Sequence, residues 1–510
     1  MLVKVKTIAI VGINTVGVDV EVDVTSRGLP AIELVGLPNK AVTESKERVR
    51  TALMNCGINF PDKHVVVNLA PADLPKEGSL YDLPIAVGIV CAYEGLAVPA
   101  DSLFFGEVSL DGRLRHSHGA FLLGMFAREA GYSNVFVPDD CAGELAVFTE
   151  LNVYSVGDLM LMIKHLRGEV GVDKAMGEGA VGFEAGYDGG LDFAYIYGQA
   201  RAKRALEIAA AGGHNILLSG SPGGGKTMLA KALPSILPPL TSKESFEVTK
   251  VYSAAGKMLP GQSLITSRQF RSPHHTSSLV GIVGGGSVPR PGEISLAHRG
   301  VLFLDEFAEF PRSVLEGLRQ PLEDGVVNIS RGRLSVTLPS RFLLVAAANP
   351  CPCGYFDHPK LECKCSPAEI RRYQKKISGP ILDRIDLHVY VEPTDVDDLS
   401  LNHLPVESPK IRERVENVRK SQEARYADLG FFTNAELTAE QIGNFCTLSP
   451  DAEVLLKRAA DKFSLSTRTY FKLVKIGRTI ADLAGKDVIE LDYIAEALHY
   501  RLRDYDRAQG

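Results

Sequence analysis

Gly220-Ser221-Pro222-Gly223-Gly224-Gly225-Lys226-Thr227 decides how this chain is read. The apolar run Ile216-Leu217-Leu218 comes before it, and a helix-competent segment from Met228 to Leu233, stopped by Pro234, comes after. Strand, glycine-rich turn and helix form the context in which the pattern GxxxxGK[ST] makes a phosphate cradle. Glycines at 223, 224 and 225 let consecutive backbone N–H groups converge without Cβ clashes, and the helix N-terminus adds partial positive charge. The whole loop is therefore the predicted ATP site. In it Lys226 reaches the β- and γ-phosphates and the Thr227 hydroxyl holds Mg2+.

Working outward, Gly300-Val-Leu-Phe-Leu-Asp305-Glu306 supplies the other half. Its four apolar residues predict a buried parallel strand whose C-terminal end delivers two carboxylates to the crevice where doubly wound sheets bind ligands. Asp305 then sits on the metal and Glu306 polarises the attacking water. An apolar strand ending in Asp-Glu is weak by itself; with the glycine loop it predicts a nucleotide hydrolase.

The chain has 510 residues, too many for one core, with 45% hydrophobic and 23% charged residues, as in ordinary globular proteins. A net charge of −6 means that any nucleic-acid binding must come from local basic patches. No apolar run reaches the roughly 18 residues of a membrane span, and Leu83 to Tyr93 is too short. Lys4 and Lys6 ahead of Ile8-Ala-Ile-Val-Gly12 superficially resemble a signal peptide. The alternation Val18-Asp-Val-Glu-Val-Asp-Val24 instead predicts a half-buried strand, so a cytoplasmic location is expected. Cysteines 56, 91, 141 and 446 are scattered, while Cys351, Cys353, Cys363 and Cys365 crowd together, a metal-site pattern rather than a disulfide framework. Four thiolates suffice for structural Zn2+ in the loop 351–365, with His358 as a substitute ligand and reduced free thiols as the alternative.

Residues 1–167 read as a first domain of short strands and helices, including a helix around Lys40 to Cys56 and a strand from His64 to Leu69. Residues 168–190 carry eight glycines and read as a linker. Residues 191–400 form the nucleotide-binding core, and 401–510 a helical part with a charged insertion at Lys410 to Arg425 and a bundle from Thr438 to Arg503. Between the two nucleotide motifs, Tyr252 to His298 is a long excursion containing Arg268, Arg271, His274 and His275. The adjacent histidines suggest polar loop chemistry more than a metal site. Asp324 to Leu338 reads as a β-hairpin, with strands Val326 to Ser330 and Leu334 to Leu338 and a turn Arg331-Gly332-Arg333. Arg331 and Arg333 at its tip suit contact with backbone phosphates of DNA, or are simply solvated. Arg341 to Ala348 reads as another buried strand, ending on Asn349.

Several of these segments resemble known families. Pro75 to Ala86, Phe105 to Arg113 and Val135 to Pro138 resemble the ribosomal-S5-like fold of the Lon protease catalytic domain. The nucleophile position holds Leu80 and the lysine position Phe121, with Ser79 one place off, so the domain is expected to be non-proteolytic. Phe193 to Gln199 is similar to the adenine-cradling stretch of AAA+ ATPases of the magnesium-chelatase type, which carries Tyr197 and Gln199 over as nucleotide contacts. The same resemblance makes the excursion a helix-2 insertion facing a ring's pore and the hairpin a pre-sensor 1 hairpin. It makes Asn349 sensor 1, Arg384 in Gly379-Pro-Ile-Leu-Asp-Arg-Ile-Asp386 the arginine finger acting on the neighbour's ATP, and Arg468 sensor 2, a lid residue on the γ-phosphate. Ser466 or Thr467 would cap the helix that Arg468 begins.

Taken in order, the chain resembles the ComM/YifB family of magnesium-chelatase-like AAA+ proteins. The resemblance implies a multidomain α/β fold: a Lon-like α+β domain, an AAA+ doubly wound parallel-sheet core and a C-terminal helical lid. It implies ATP, Mg2+ and structural Zn2+, a hexameric ring with no membrane partner, and translocation on single-stranded or branched DNA during recombination in natural transformation. A chelatase-like or chaperone-like motor acting on a protein partner is the main alternative. An ATP-dependent protease is disfavoured by Leu80 and Phe121.

Overall fold

The computed structural model describes residues 2–25, 31–58, 63–175, 191–259, 261–286, 288–331, 334–393 and 408–501. Its first sheet has seven strands in the order Ala31–Val35, His64–Ala70, Asn14–Thr25, Leu2–Val11, Ser102–Phe104, Asn134–Pro138, Asn152–Val156. Asn14–Thr25 runs antiparallel to both of its neighbours, and the remaining pairs are parallel. The alternation from Val18 to Val24 does what a period of two requires. Val18, Val20 and Val22 are buried, while Asp19 and Glu21 face the other way and pair with Lys6 and Lys4 at 2.7 and 2.8 Å.

The helix Asp82–Glu94 is buried from Asp82 through Ala92 because it lies against the strands Leu2–Val11 and Asn14–Thr25. A Cβ on Gly88 would come within 2.5 Å of Val22 Cγ2, so only glycine permits this approach. Its uniformly apolar sequence is thus that of a central core helix. No helix of the described residues is long and apolar enough to cross a membrane. Residues 168–175, expected as linker, instead pack on the sheet edge: the Ala175 N–H donates to Val153 O at 2.7 Å and Val172 is buried. The rest of that stretch, 176–190, lies outside the described residues.

The second sheet has five strands, all parallel, in the order Phe270–Arg271, Val301–Leu304, Leu343–Ala348, Ile216–Gly220, Leu387–Val391. Val301–Leu304 and Leu343–Ala348 are buried along their whole length, as continuous apolar runs in a covered parallel sheet should be. The excursion from Tyr252 to His298 is more ordered than its sequence suggests. It contributes the edge strand Phe270–Arg271, the helix Leu279–Val283, a two-stranded ribbon of Gly284–Gly285 with Arg290–Pro291, and the helix Glu293–Leu296. Arg268 and Arg271 are not free cations there, since they bind Glu244 at 2.8 Å and Glu293 at 2.7 Å.

The helix Ser408–Arg425 covers the helix Ala200–Gly212, with Ile411, Val415 and Val418 buried in the core of the second sheet, so it is a structural cover rather than an insertion. Four further helices follow: Ala439–Phe445, Pro450–Phe463, Thr467–Leu483 and Leu491–His499. Ser466 caps the third of them, accepting from the Thr469 N–H.

Among the described residues the two sheets' bodies meet at several points, two of which pack apolar side chains together. Phe121 and Phe148 pack on Phe246 of the helix Ser242–Ala254, and the buried Glu144 accepts from Ser253 Oγ at 3.2 Å. The second contact is the turn after Leu2–Val11. A Cβ on Gly12 would lie 2.1 Å from Val336 Cγ1, and Ile13 joins Val327, Ile329 and Val336 in one apolar cluster. Those three belong to a hairpin of Val326–Arg331 with Leu334–Pro339. Its other face exposes Asn328, Ser330, Ser335 and Thr337, and Arg331 is exposed at the end of its strand.

Candidate functional site

The sheet fixes the phosphate loop. Ile216–Gly220 ends at the loop, and the helix Lys226–Ala232 leaves it. Gly223 and Gly225 take φ of +80° and +86°, which L side chains rarely adopt, and a Cβ on Gly220 would lie 2.3 Å from Val391 O. Lys226 donates from Nζ to the carbonyls of Gly220 and Ser221, both at 2.8 Å, and to Asn349 Oδ1 at 3.2 Å. Burial pushes its ammonium down to about 8, opposed by Asp305. The lysine is thus folded back onto the loop, where arriving phosphates would supply the charge that the carbonyls now only partly replace.

Thr227 Oγ1 donates to Asp305 Oδ2 at 2.8 Å. Adjacent ligands of an octahedral Mg2+ at about 2.1 Å lie about 3 Å apart, so these two oxygens fit that ion. Lys226, Thr227, Asp305 and Asn349 therefore converge at the C-terminal edge of the sheet, from three neighbouring strands. Glu306 stands beside them with φ +50°, its carboxylate 3.1 Å from His275 Nδ1, and the His275 ring lies 4.1 Å from that of His274. On the far flank, Gln199 donates from Nε2 to Glu392 O at 2.6 Å, next to the strand that ends at Val391, and Tyr197 is half-buried.

Arg384 and Arg468 lie elsewhere. Arg384 precedes the strand Leu387–Val391, and its carbonyl accepts from Nδ2 of Asn215, the residue just before Ile216. Ile216 pairs with Leu387 and Gly220 with Val391, so Arg384 is separated from the phosphate loop by the length of a strand. At about 3.3 Å per residue that is about 16 Å. Arg468, expected as a lid residue on the γ-phosphate, shares this opposite edge: both arginines hydrogen-bond the carboxylate of Glu323. They border a cleft of about 670 Å³ floored by Asn215, Gly300 and Leu343. Asp386 sits in its wall, bound to Lys472 at 2.7 Å. Burial would raise that carboxyl, but Lys472 and His214 hold it far below the carboxylate range.

The four cysteines of the loop 351–365 come together as the spacing predicts. Their sulfurs lie within 4.8 Å of one another, with Cys351 to Cys353, Cys353 to Cys363 and Cys351 to Cys363 at 3.4, 3.6 and 3.7 Å. A tetrahedral Zn2+ with Zn–S of about 2.3 Å separates its sulfurs by about 3.8 Å, so this donor set fits that ion and leaves it no open position. His358 is not part of the set; its Nδ1 accepts from the N–H groups of Lys360 and Leu361 at 3.0 and 2.9 Å. The cysteine loop also touches the nucleotide site, since a Cβ on Gly354 would lie 2.5 Å from Pro222 Cδ.

Arg331 is exposed at the end of its strand, and Arg333 lies outside the described residues. In the first body Leu80 and Phe121 are buried, and Ser79 donates to the carboxylate of Glu107. Sequence reasoning missed Glu323 and Glu144, which have no motif around them, and gave His275 no partner.

Comparison with known proteins covers nearly the whole chain. Residues 20–141, 192–399 and 406–501 match the family models described as subunit ChlI of Mg-chelatase, magnesium chelatase subunit ChlI, and magnesium chelatase subunit ChlI C-terminal. Competence protein ComM of Haemophilus influenzae is 42% identical over 501 residues, covering 97% of this chain and 96% of that protein. The uncharacterized protein YifB of Escherichia coli is 39% identical over 505 residues, covering 98% and 97%. The magnesium-chelatase 38 kDa subunit of Rhodobacter capsulatus is 29% identical over 177 residues, 31% of this chain and 50% of the subunit.

Proposed function

The chain belongs to the ComM/YifB family of magnesium-chelatase-like AAA+ proteins, and from that premise we propose that it is an ATP-driven DNA translocase working as a hexameric ring. ATP and Mg2+ follow from the family; the residue roles are our assignment. Lys226 and the loop Gly220–Thr227 bind the phosphates, Thr227 and Asp305 hold Mg2+, Glu306 orients the attacking water and Asn349 fixes it against the γ-phosphate. Tyr197 and Gln199 flank the adenine, and the four cysteines hold a structural Zn2+.

One observation carries the ring: the edge that holds Lys226, Thr227, Asp305 and Asn349 lacks Arg384 and Arg468, which sit about a strand's length away on the opposite edge. The charge that phosphoryl transfer needs is then supplied when the arginine edge of one copy meets the nucleotide edge of the next. Residues 1–167 form a non-proteolytic Lon-like platform, 191–400 the motor with its helix-2 insert and pre-sensor 1 hairpin, and 401–510 the lid. The hairpin with Arg331 and Arg333 faces the pore and contacts DNA phosphates. By likeness to a relative named a competence protein, we place the activity in branch migration during natural transformation.

Mixing Lys226→Ala with Arg384→Ala chains tests the ring: each is inactive alone, and the mixture recovers turnover because one copy keeps the loop and the other the finger. A mixture as dead as its parts overturns it. For DNA, changing Arg331 and Arg333 to Ala lowers the stimulation of turnover by forked DNA severalfold and flattens the salt dependence of binding by about two phosphate contacts. Turnover indifferent to any DNA at low salt favours a protein-remodelling motor instead.

A further inference from the structure

The two arginines share one carboxylate, and that carboxylate has no assigned role. Glu323 ends the helix Arg319–Asp324, Arg384 follows the helix Gly379–Leu382, and Arg468 opens the helix Thr467–Leu483, so three separate elements converge. Each arginine takes a different oxygen: Arg384 Nη2 binds Oε2 and Arg468 Nη2 binds Oε1. Two guanidinium groups this close would repel and turn apart without an anion between them.

Most of the other cations around the cleft have an acid beside them, while Arg419 donates, among the described residues, only to Ala210 O, at 2.9 and 2.7 Å. Lys472 has Asp386 at 2.7 Å, Arg299 has Glu247 at 2.9 Å, Arg268 has Glu244 at 2.8 Å, Arg341 has Glu436 at 2.5 Å, and Lys475 donates to Ala435 O at 3.0 Å. The Arg384–Glu323–Arg468 group is instead left with two positive charges on one negative, and the buried Arg384 Nε has no hydrogen-bond partner. Glu323 and Arg468 side chains are each 43% exposed, while that of Arg384 is 14% exposed. Arg384 is steadied from below by Nη1 donating to Pro380 O at 2.8 Å.

We infer that Glu323 is a positioning residue that holds Arg384 and Arg468 as one preformed fork, the side chains spaced to take a phosphate oxygen of ATP on a second copy of this chain. The inference rests on the reading of both arginines as acting between copies. In the isolated chain the carboxylate stands where the anion will come. On assembly the surplus positive charge and the free donors turn to the phosphate, with the geometry already set, and the cost of ordering two long side chains is met before the encounter.

Glu323 also connects to the hairpin. Gly325, two residues on, turns the chain with φ +67°, and its carbonyl accepts from the Ser340 N–H at 2.9 Å. The helix that carries Glu323 and the base of the hairpin are therefore joined directly through Gly325.

The test uses full-length Glu323→Gln, which keeps shape and removes charge, with Glu323→Ala and Glu323→Asp beside it. In the Gln and Ala variants kcat falls about tenfold while affinity for a fluorescent ADP analogue at the variant's own loop stays at the parental value, and Asp restores part of the rate. A second arm places Glu323→Gln on the same chain as Lys226→Ala and mixes it with unmodified protein. Turnover falls further than with Lys226→Ala alone, because the defect acts on the neighbour's ATP. Unchanged kcat in the Gln and Ala variants, or lost affinity for ADP on the variant's own chain, overturns the inference. Failure of the Lys226→Ala and Arg384→Ala mixture to recover turnover sinks the reading beneath it instead, so the two failures are distinct.

Discussion

The two edges of the five-stranded sheet make an instructive contrast. At the C-terminal edge every working group lies within a few residues of a strand end, and each already touches another: Lys226 with Asn349, Thr227 with Asp305. At the N-terminal edge the arginines come from parts of the chain 61 and 145 residues from the carboxylate that joins them. The first edge is built by one loop and two strand ends. The second is a surface assembled by packing three helices, and it has nothing of its own to act on. On the proposed reading, the nucleotide and its attacking water are held at one end of the domain, and the arginines that act on the neighbour's phosphates stand at the other.

Four tests would break or sharpen this contrast. The largest effect is expected from the edges themselves: Lys226→Ala and Arg384→Ala each lower ATP turnover by about a thousandfold, but only the first loses nucleotide affinity. Equilibrium binding of a labelled nucleotide to both variants separates the two, and equal losses would mean that the edges do not divide the work.

Next comes the cysteine loop that leans on Pro222. Changing Cys363 to Ser, or stripping bound metal with a strong chelator, removes a ligand from the cluster and destabilises the loop by about 3 kcal/mol or more, with weakened nucleotide binding as the neighbour slackens. Metal content by elemental analysis and a thermal melt with and without added Zn2+ check this.

A third, smaller effect lies at Gly12. Its φ of +66° and its contact with Val336 leave no room for a side chain. Gly12→Val should cost about 1–3 kcal/mol and speed amide exchange across the hairpin strands, leaving exchange at the phosphate loop unchanged.

The smallest effect concerns Glu247, which braces Arg299 in the wall of the arginine cleft at 2.9 Å. Burial works to raise its carboxyl, but His298 and Arg299 hold it at about 2, below the ordinary 4.5. A depressed folded value gives stability that is present above pH 4.5 and lost as pH falls toward 2. With the side chain about a third exposed, screening limits the contribution to about 1 kcal/mol. Urea midpoints measured between pH 6 and pH 3 should fall less steeply in Glu247→Gln than in the parent.

The sequence by itself determined the local devices. The glycine loop, the acidic strand end, the buried strand before Asn349 and the cysteine pairs were legible because each is a few consecutive residues whose spacing has one economical geometry. The hairpin was legible from its two strand-like runs about a glycine-containing turn. What no window of sequence holds is which distant side chains meet. The edge strand Phe270–Arg271 is two residues long and has no pattern of its own; it exists because Val301–Leu304 offers it a ladder. Likewise Glu323 is one carboxylate among many in the sequence, and it stands out because the ends of two short helices and the start of a long one meet at the same point. Side-chain chemistry is written residue by residue, but the meeting of charges across a fold is set by packing, which depends on the whole chain at once.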